Sequence, residues 1–189
     1  MTAISNLASF RLKSRNRATV TDAVRIGYQL GKNGWSSFEL SVGPTSVVVG
    51  PFGYTTDALG DLVRAALMIA TSGLRAEVSL NAEPMEWRLI AGGYAAKSGW
   101  IDFGVRVLTF PDALGPPLAE AEGHKVFEAQ CSAKGFVDAV LTAAESIWDQ
   151  YAIEGYDRLW GGPCGFPLRA LTALKAATSV QEPRTDWQR

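Results

Sequence analysis

The side chains that most often carry out chemistry are few and widely spaced in this sequence. His124 is the only histidine, so zinc sites that need two imidazoles cannot form from this chain. On one extended strand, Cys131 would lie about 20 Å from His124, at about 3.3 Å per residue, too far for a thiolate–imidazole pair. Cys164 could still meet His124 in space, although an ordinary free thiol is the simpler interpretation. We expect no metal site and no catalytic cysteine.

Paired carboxylates are the next candidate for catalysis. Glu83 and Glu86 stand three residues apart beside Trp87, the residue types that glycoside hydrolysis uses. Because they flank a turn that contains Pro84, we expect both to face water. The sequence also lacks a nucleophile elbow, a lysine-bearing phosphate loop and a dinucleotide fingerprint, and the glycine-rich segment 161–165 is interpreted as a bend. We therefore expect no catalytic residue and no cofactor.

The composition is that of an ordinary soluble globular protein. The 189 residues are 47% apolar and 20% charged, with a net charge of -1, which argues against a disordered or nucleic-acid-coating chain. Basic residues in segment 11–17 could follow phosphates if extended, but a solvated arm is the simpler interpretation. No apolar run approaches the roughly 18 residues that span a bilayer, and we find no secretory signal. We expect a cytoplasmic protein with two free thiols and no membrane contact.

Hydrophobic periodicity predicts the elements of the first half. Apolar residues alternate along segments 24–30 and 38–42, on either side of Asn33-Gly34, a dipeptide suited to tight hairpins. A short third strand is predicted at 47–50. Three- and four-residue spacing then predicts an amphipathic helix over 59–70, capped by the side-chain oxygens of residues 55–57 and ended by Gly73.

The second half repeats these signals. Alternation predicts further strands, and helical spacing predicts a long helix capped by Ser132 and stopped at Gly155, followed by a third helix that begins at Pro167. The predicted strands are 74–80, 86–91, 100–110 and 125–131, with a turn at 92–99 and a loop at 111–123.

Together these elements predict an α+β fold. We expect a largely antiparallel meander sheet, with one amphipathic helix inserted after the third strand and two C-terminal helices. The predicted organisation is a mobile arm or edge strand at 1–20, a single α+β domain at 21–178 and a frayed tail at 179–189.

One surface could bind a partner. The outward face of the central strands gathers charges of both signs, which suits either a solvated ladder of ion pairs or a docking surface for a charged protein. Aromatic residues near the chain's bends either complete the core or anchor an interface. The candidate binding residues are Arg75, Glu77, Glu83, Glu86, Trp87, Arg88, Asp102, Arg106 and Trp160.

Three segments also carry a family resemblance: YTTDALGDL at 54–62, EPMEWR at 83–88, and FPL followed by Leu171 at 166–171. They resemble a loose group of small bacterial α+β proteins similar to immunity proteins of polymorphic and contact-dependent toxin systems. The resemblance covers about residues 34–175, with Met85 where a glycine is expected. It implies a stoichiometric binder that occludes a toxin's active site.

The sequence therefore supports a leading hypothesis and two alternatives. The first is a non-enzymatic cytoplasmic protein that binds another protein, such as a cognate toxin, through the charged face and the 83–88 turn. The second is a ligand-binding protein or enzyme with a pocket between helix and sheet, using Glu83, Glu86 or His124. The third is a homodimer formed through an exposed strand edge.

Overall fold

In a computed structural model, residues 23–73, 75–95, 101–112 and 115–179 are described. They confirm the predicted α+β class and the order of its elements. The strands are β1 (Val24–Leu30), β2 (Ser36–Val42), β3 (Thr45–Phe52), β4 (Ala76–Ala82), β5 (Met85–Ala95), β6 (Ile101–Phe110) and β7 (His124–Gln130). The helices are α1 (Ala58–Ser72), α2 (Ala133–Trp160) and α3 (Leu168–Ser179), with a short 3-10 turn at Glu120–Glu122 before β7.

The strands form two antiparallel meanders rather than one continuous sheet. One sheet has the order β1-β2-β3 and the other β4-β5-β6-β7. The chain leaves β3 to form α1 before it returns as β4, so these two strands do not build a ladder. They meet at a corner where the Gly53 N–H donates to the Asn81 carbonyl oxygen, with an N···O distance of 2.7 Å. One apolar core includes residues from both sheets and all three helices.

The turn between β1 and β2 is the hairpin that Asn33-Gly34 predicts, with φ angles of 57° and 74°. Gly34 is also required for packing. A methyl group there would lie 2.3 Å from Cδ1 of Tyr54 and 2.6 Å from the Trp160 carbonyl oxygen. The Gly34 N–H donates to the Leu159 carbonyl oxygen at 3.0 Å. The hairpin therefore rests on the C-terminal end of α2.

Helix α1 packs against β4, α2 and α3 through one apolar face. Gly73 closes it as predicted, with φ of 65° and its N–H bonded to Ile69. The start of the helix differs from the prediction. Asp57 is the N-cap residue, but its side chain makes no capping hydrogen bond, and Oδ2 accepts from Arg64 Nη2 at 2.7 Å. The buried residues of α1 are Ala58, Leu59, Gly60, Leu62, Val63, Ala65, Ala66 and Ile69.

Helix α2 begins where predicted, because Ser132 Oγ accepts a hydrogen bond from Gly135 N at 2.8 Å. It lies against β1 and α1, and α3 packs against α1. In this way α2 packs on the three-stranded sheet at β1, while α1 packs on the four-stranded sheet at β4.

The predicted stop at Gly155 is wrong. The backbone breaks earlier, at Ala152, whose φ of 51° and ψ of -171° are not helical, and helical structure then continues to Trp160. Gly161, with φ of 65°, ends it. Gly155 is buried, and a methyl group on it would lie 3.2 Å from Cβ of Tyr151. This glycine therefore permits close packing rather than terminating the helix.

The four-stranded sheet is covered on both faces. Its inner face joins the main core, while Ile90, Leu108 and Phe110 are buried on the outer face against Leu118 from the preceding loop. Strand β5 also runs further than predicted, because Gly92 pairs with Gly104 inside the ladder and residue 93 pairs with residue 103. A methyl group on Gly92 would lie 2.7 Å from Cα of Arg75, so close approach of the β4 segment explains this glycine.

Some predictions fall outside the described residues: the arm at 1–20, the tail beyond Ser179, residues 96–99 of the predicted turn and residue 100 at the start of a predicted strand. Within the described ranges, no helix has both the length and the apolar composition to cross a bilayer.

Candidate functional site

The outer face of β4–β7 brings together the charged residues that the alternation predicts. Glu77 pairs with Ile90, which pairs with Arg106, and Glu86 and Arg88 occupy the same face of β5. We call this set the outer-face charges; its members are Arg75, Glu77, Glu86, Arg88, Asp102, Arg106 and Glu120 from the 3-10 turn.

Glu86 and Arg88 form a buried ion pair, contrary to the expectation that Glu86 faces water. Arg88 Nε donates to Glu86 Oε1 at 2.8 Å and Nη2 donates to Oε2 at 2.9 Å. Nη1 donates to the Leu118 carbonyl oxygen at 2.8 Å, and the guanidinium lies 4.1 Å from the centroid of the Phe110 ring. Each side chain of the pair is only 9% exposed. The hydrogen bonds that Arg88 donates to Glu86 raise the pKa of Arg88, outweighing burial, which lowers it.

The remaining outer-face charges also find partners within the protein. Arg75 contacts both Glu77 and Glu120, with an N···O distance of 2.6 Å to the latter. Arg106 contacts Glu120 as well, and Asp102 accepts from the side chain of Gln130 at 3.0 Å. The face therefore fastens the loop before β7 to the sheet, and a partner protein would have to compete with these contacts.

The two predicted tryptophan anchors lie largely inside the protein. Trp160 is fully buried and stacks on Tyr156, with ring centroids 6.1 Å apart, so its assignment to a partner surface was wrong. Trp87 is half-buried and packs on the main core. Both follow from the position of α2 and of the inner sheet face, which hydrophobic pattern alone does not locate.

Two exposed aromatic residues and an exposed methionine lie instead near the corner where the two sheets meet. Trp35 is 38% exposed, Tyr54 48% and Met85 39%. A methyl group on Gly53 would lie 3.8 Å from Cζ3 of Trp35 and 3.9 Å from the carbonyl oxygen of Asn81, near the end of β4, so Gly53 lies between Trp35 and the end of β4. Glu83 is exposed in the turn between β4 and β5. We call Trp35, Gly53, Tyr54, Glu83 and Met85 the junction surface.

A shallow groove of about 500 Å³ runs beside Tyr54. Its lining includes Lys32, Asn33 and Arg158, at the C-terminal end of α2, where the helix dipole favours cations. In the described part of the chain, neither Lys32 nor Arg158 forms an ion pair. Because these two cations are unpaired among the described residues, the groove beside the junction surface can bind carboxylates.

A second arrangement was not predicted from the sequence. Six buried polar atoms have no hydrogen-bond partner among the described protein groups, and their residues belong to the first sheet, the start of α1 and the end of α2. They are Tyr28 Oη, Ser36 Oγ, Thr56 Oγ1, Asp57 Oδ1, Tyr156 Oη and Trp160 Nε1. We call these residues the buried polar cluster.

The two tyrosines of this cluster are held in their neutral form. Burial raises the pKa of Tyr28, the hydroxyl of Ser36 lowers it and the charge of Asp57 raises it. Burial likewise raises the pKa of Tyr156, with Tyr28 and Asp57 as the next contributors. One sequence signal was available: Ser36 is in phase with the core residues of β2, so a hydroxyl stands where an apolar side chain is expected.

The residues proposed for a helix–sheet pocket are not brought together. Glu86 pairs with Phe110, whereas His124 pairs with Thr109, so the two lie on opposite faces of the sheet, and Glu83 is exposed. In the described residues, no group of three histidine, cysteine, aspartate or glutamate side chains is arranged to hold a metal.

Comparison of the chain with protein-family models, with curated proteins and with solved structures finds no match.

Proposed function

We propose that this chain is a non-enzymatic module that binds another protein through the junction surface. The observation that supports this is that Trp35 and Tyr54, each more than one-third exposed, lie beside Gly53 at the corner where the two sheets meet. Met85, also more than one-third exposed, begins β5 at the same end of the four-stranded sheet. Aromatic residues and methionine are enriched in protein interfaces, and a few such anchors carry most of the binding energy.

The charges around this corner suggest the chemistry of the partner. Lys32 and Arg158 have no acidic partner among the described residues, unlike the outer-face arginines, which are compensated within the protein. Aspartate or glutamate side chains of a partner would therefore complete the groove beside Tyr54.

The family resemblance gives the proposal its biological form. Two of the segments that carry it, 54–62 and 83–88, begin at Tyr54 and Glu83, both on the junction surface. We propose that the partner is a bacterial toxin and that binding covers its active site. A cytoplasmic location fits this role, and it also fits the two cysteines, Cys131 and Cys164, neither of which is in a disulfide.

Binding measurements with the product of a neighbouring toxin gene test the proposal. Trp35→Ala and Tyr54→Ala should each weaken binding about 30-fold, which corresponds to roughly 2 kcal/mol for an interface anchor. Val48→Ala is the matched control, because Val48 is 62% exposed but lies on β3 away from the corner, and it should leave affinity unchanged.

Co-expression supplies the functional readout. The unmodified chain should protect cells from the toxin, and Trp35→Ala should not, while both proteins melt at similar temperatures. Absence of binding together with undiminished toxicity would refute the proposal. Loss of binding on Arg75→Ala but not on Trp35→Ala would move the interface to the outer-face charges.

A further inference from the structure

The buried polar cluster gathers side chains from four separate elements. Tyr28 and Ser36 are diagonal neighbours on one face of the β1–β2 ladder, because Leu30 stands directly opposite Ser36. Their hydroxyls lie close together without adopting hydrogen-bonding geometry. Tyr156 comes from the segment of α2 beyond Ala152, and it is electrostatically coupled to Tyr28.

The start of α1 faces the same region. Asp57 is the N-cap residue; Oδ2 is held by Arg64, whereas Oδ1 is buried without a protein partner. A methyl group on Gly60 would lie 2.1 Å from Asp57 Oδ2, so the carboxylate folds over the first turn of the helix. The Asp57 charge helps to raise the pKa of both tyrosines, so Asp57 lies within electrostatic reach of them.

Such atoms are not left bare in a stable core. Each buried polar group without a partner carries a desolvation penalty, and six together would consume a large part of the stability of an average domain. Ser36 is 4% exposed, and Tyr156 and Trp160 are fully buried, so bulk solvent does not reach these residues. Something other than the described protein groups must supply the missing bonds.

The donor and acceptor inventory defines that ligand. Trp160 Nε1 can only donate and ionised Asp57 can only accept, while the four hydroxyls can do both. The negative charge of Asp57 would repel an anion, and the positive end of the α1 dipole together with Arg64 would repel a cation. A neutral molecule that both donates and accepts is required, and water meets this requirement in the smallest volume.

We propose that ordered water molecules bind in the buried polar cluster and bridge Asp57 to the hydroxyls of Tyr28 and Tyr156. The Asp57 side chain is 15% exposed, which provides a route of entry. The waters would join the first sheet, the start of α1 and the final segment of α2 into one hydrogen-bonded unit. This inference does not depend on the proposed partner-binding function.

A high-resolution crystal structure of the full chain tests the proposal directly. We expect ordered water about 2.7–3.2 Å from at least two of Tyr28 Oη, Asp57 Oδ1 and Tyr156 Oη. Side chains bonded only to one another would overturn the proposal, and so would density for a larger molecule in the cluster.

Thermal melting provides a second, independent readout. Tyr156→Phe and Ser36→Ala remove hydroxyls that bound water satisfies, so each should lower the melting temperature by about 2–4 °C. Tyr54→Phe is the control, because Tyr54 is 48% exposed, and it should leave the temperature unchanged. An increase for Tyr156→Phe would show that its hydroxyl was buried dry and would overturn the proposal.

Discussion

The buried pair of Glu86 and Arg88 gives the sharpest test of how the outer sheet face is held. Arg88→Met keeps much of the side-chain volume but leaves the Glu86 carboxylate under the loop without its bidentate partner. It also removes the hydrogen bond to Leu118 and the contact with the Phe110 ring. Breaking a buried pair on one side costs about 3–5 kcal/mol. With 9% of each side chain still exposed, we expect a loss of about 3 kcal/mol in the free energy of unfolding.

Urea denaturation followed by tryptophan fluorescence measures this loss in the free energy of unfolding. In a separate thermal melt, the same loss should lower the melting temperature by roughly 6–12 °C. Lys134→Met is the matched control, since Lys134 is 77% exposed in its ion pair with Asp138. That exposed pair should contribute at most about 0.5 kcal/mol.

A double substitution separates the ion pair from the burial. Glu86→Leu combined with Arg88→Met replaces both charges with apolar groups, and it should unfold within about 1 kcal/mol of the unmodified protein. If Arg88→Met alone behaves like the Lys134 control, the pair is hydrated in solution. The account of a loop fastened over a dry sheet face would then be refuted.

Three further results are expected. Ala152→Gly should stabilise the protein by about 1 kcal/mol, because φ of 51° with ψ of -171° suits glycine, whereas Ala173→Gly inside α3 should destabilise it by a similar amount in the same urea titration. Stability should fall above about pH 10, because Tyr28 and Tyr156 ionise there in the unfolded chain, while burial keeps them protonated in the folded protein. The slope of stability against pH should be about 1.4 kcal/mol per pH unit for each tyrosine. Thermal melting at alkaline pH measures this slope, which should flatten when both tyrosines are replaced by phenylalanine. Ser132→Ala should cost about 1 kcal/mol by removing the hydrogen bond that caps α2, as measured by circular dichroism melting.

The elements of the fold were largely predictable because local signals specify them. Alternation located the strands, Asn33-Gly34 located the first hairpin, and Gly73 and Ser132 located helix ends. Each signal acts within a few residues of itself, where side-chain direction and backbone φ decide the outcome.

The tertiary environment was not predictable in the same way. The alternation of β4–β6 indicates a wet outer face, yet the loop before β7 covers Glu86 and Arg88 because Leu118 and Phe110 pack beside them. Nothing local to Trp160 shows that α2 continues beyond Ala152 and turns this side chain inward.

The candidate site was less predictable than the fold. Exposure of Trp35 and Tyr54 depends on how two sheets meet at Gly53, which involves segments distant in sequence. The buried polar cluster likewise joins Tyr28 to Tyr156 across most of the chain. Such groupings arise from packing between segments that are distant in sequence, and no local pattern in a single sequence reveals those contacts.

The packing of α2 on the first sheet has a consequence for biosynthesis. Strands β1–β3 leave the ribosome early, but α2, the helix that packs against β1, is translated only after residue 132. Until then the nascent chain exposes an apolar surface that α2 later buries. Slow translation between β3 and α2 would lengthen that exposure and increase the need for chaperones that bind the nascent chain. A circular permutation that brings α2 next to β1 in sequence would shorten the exposure.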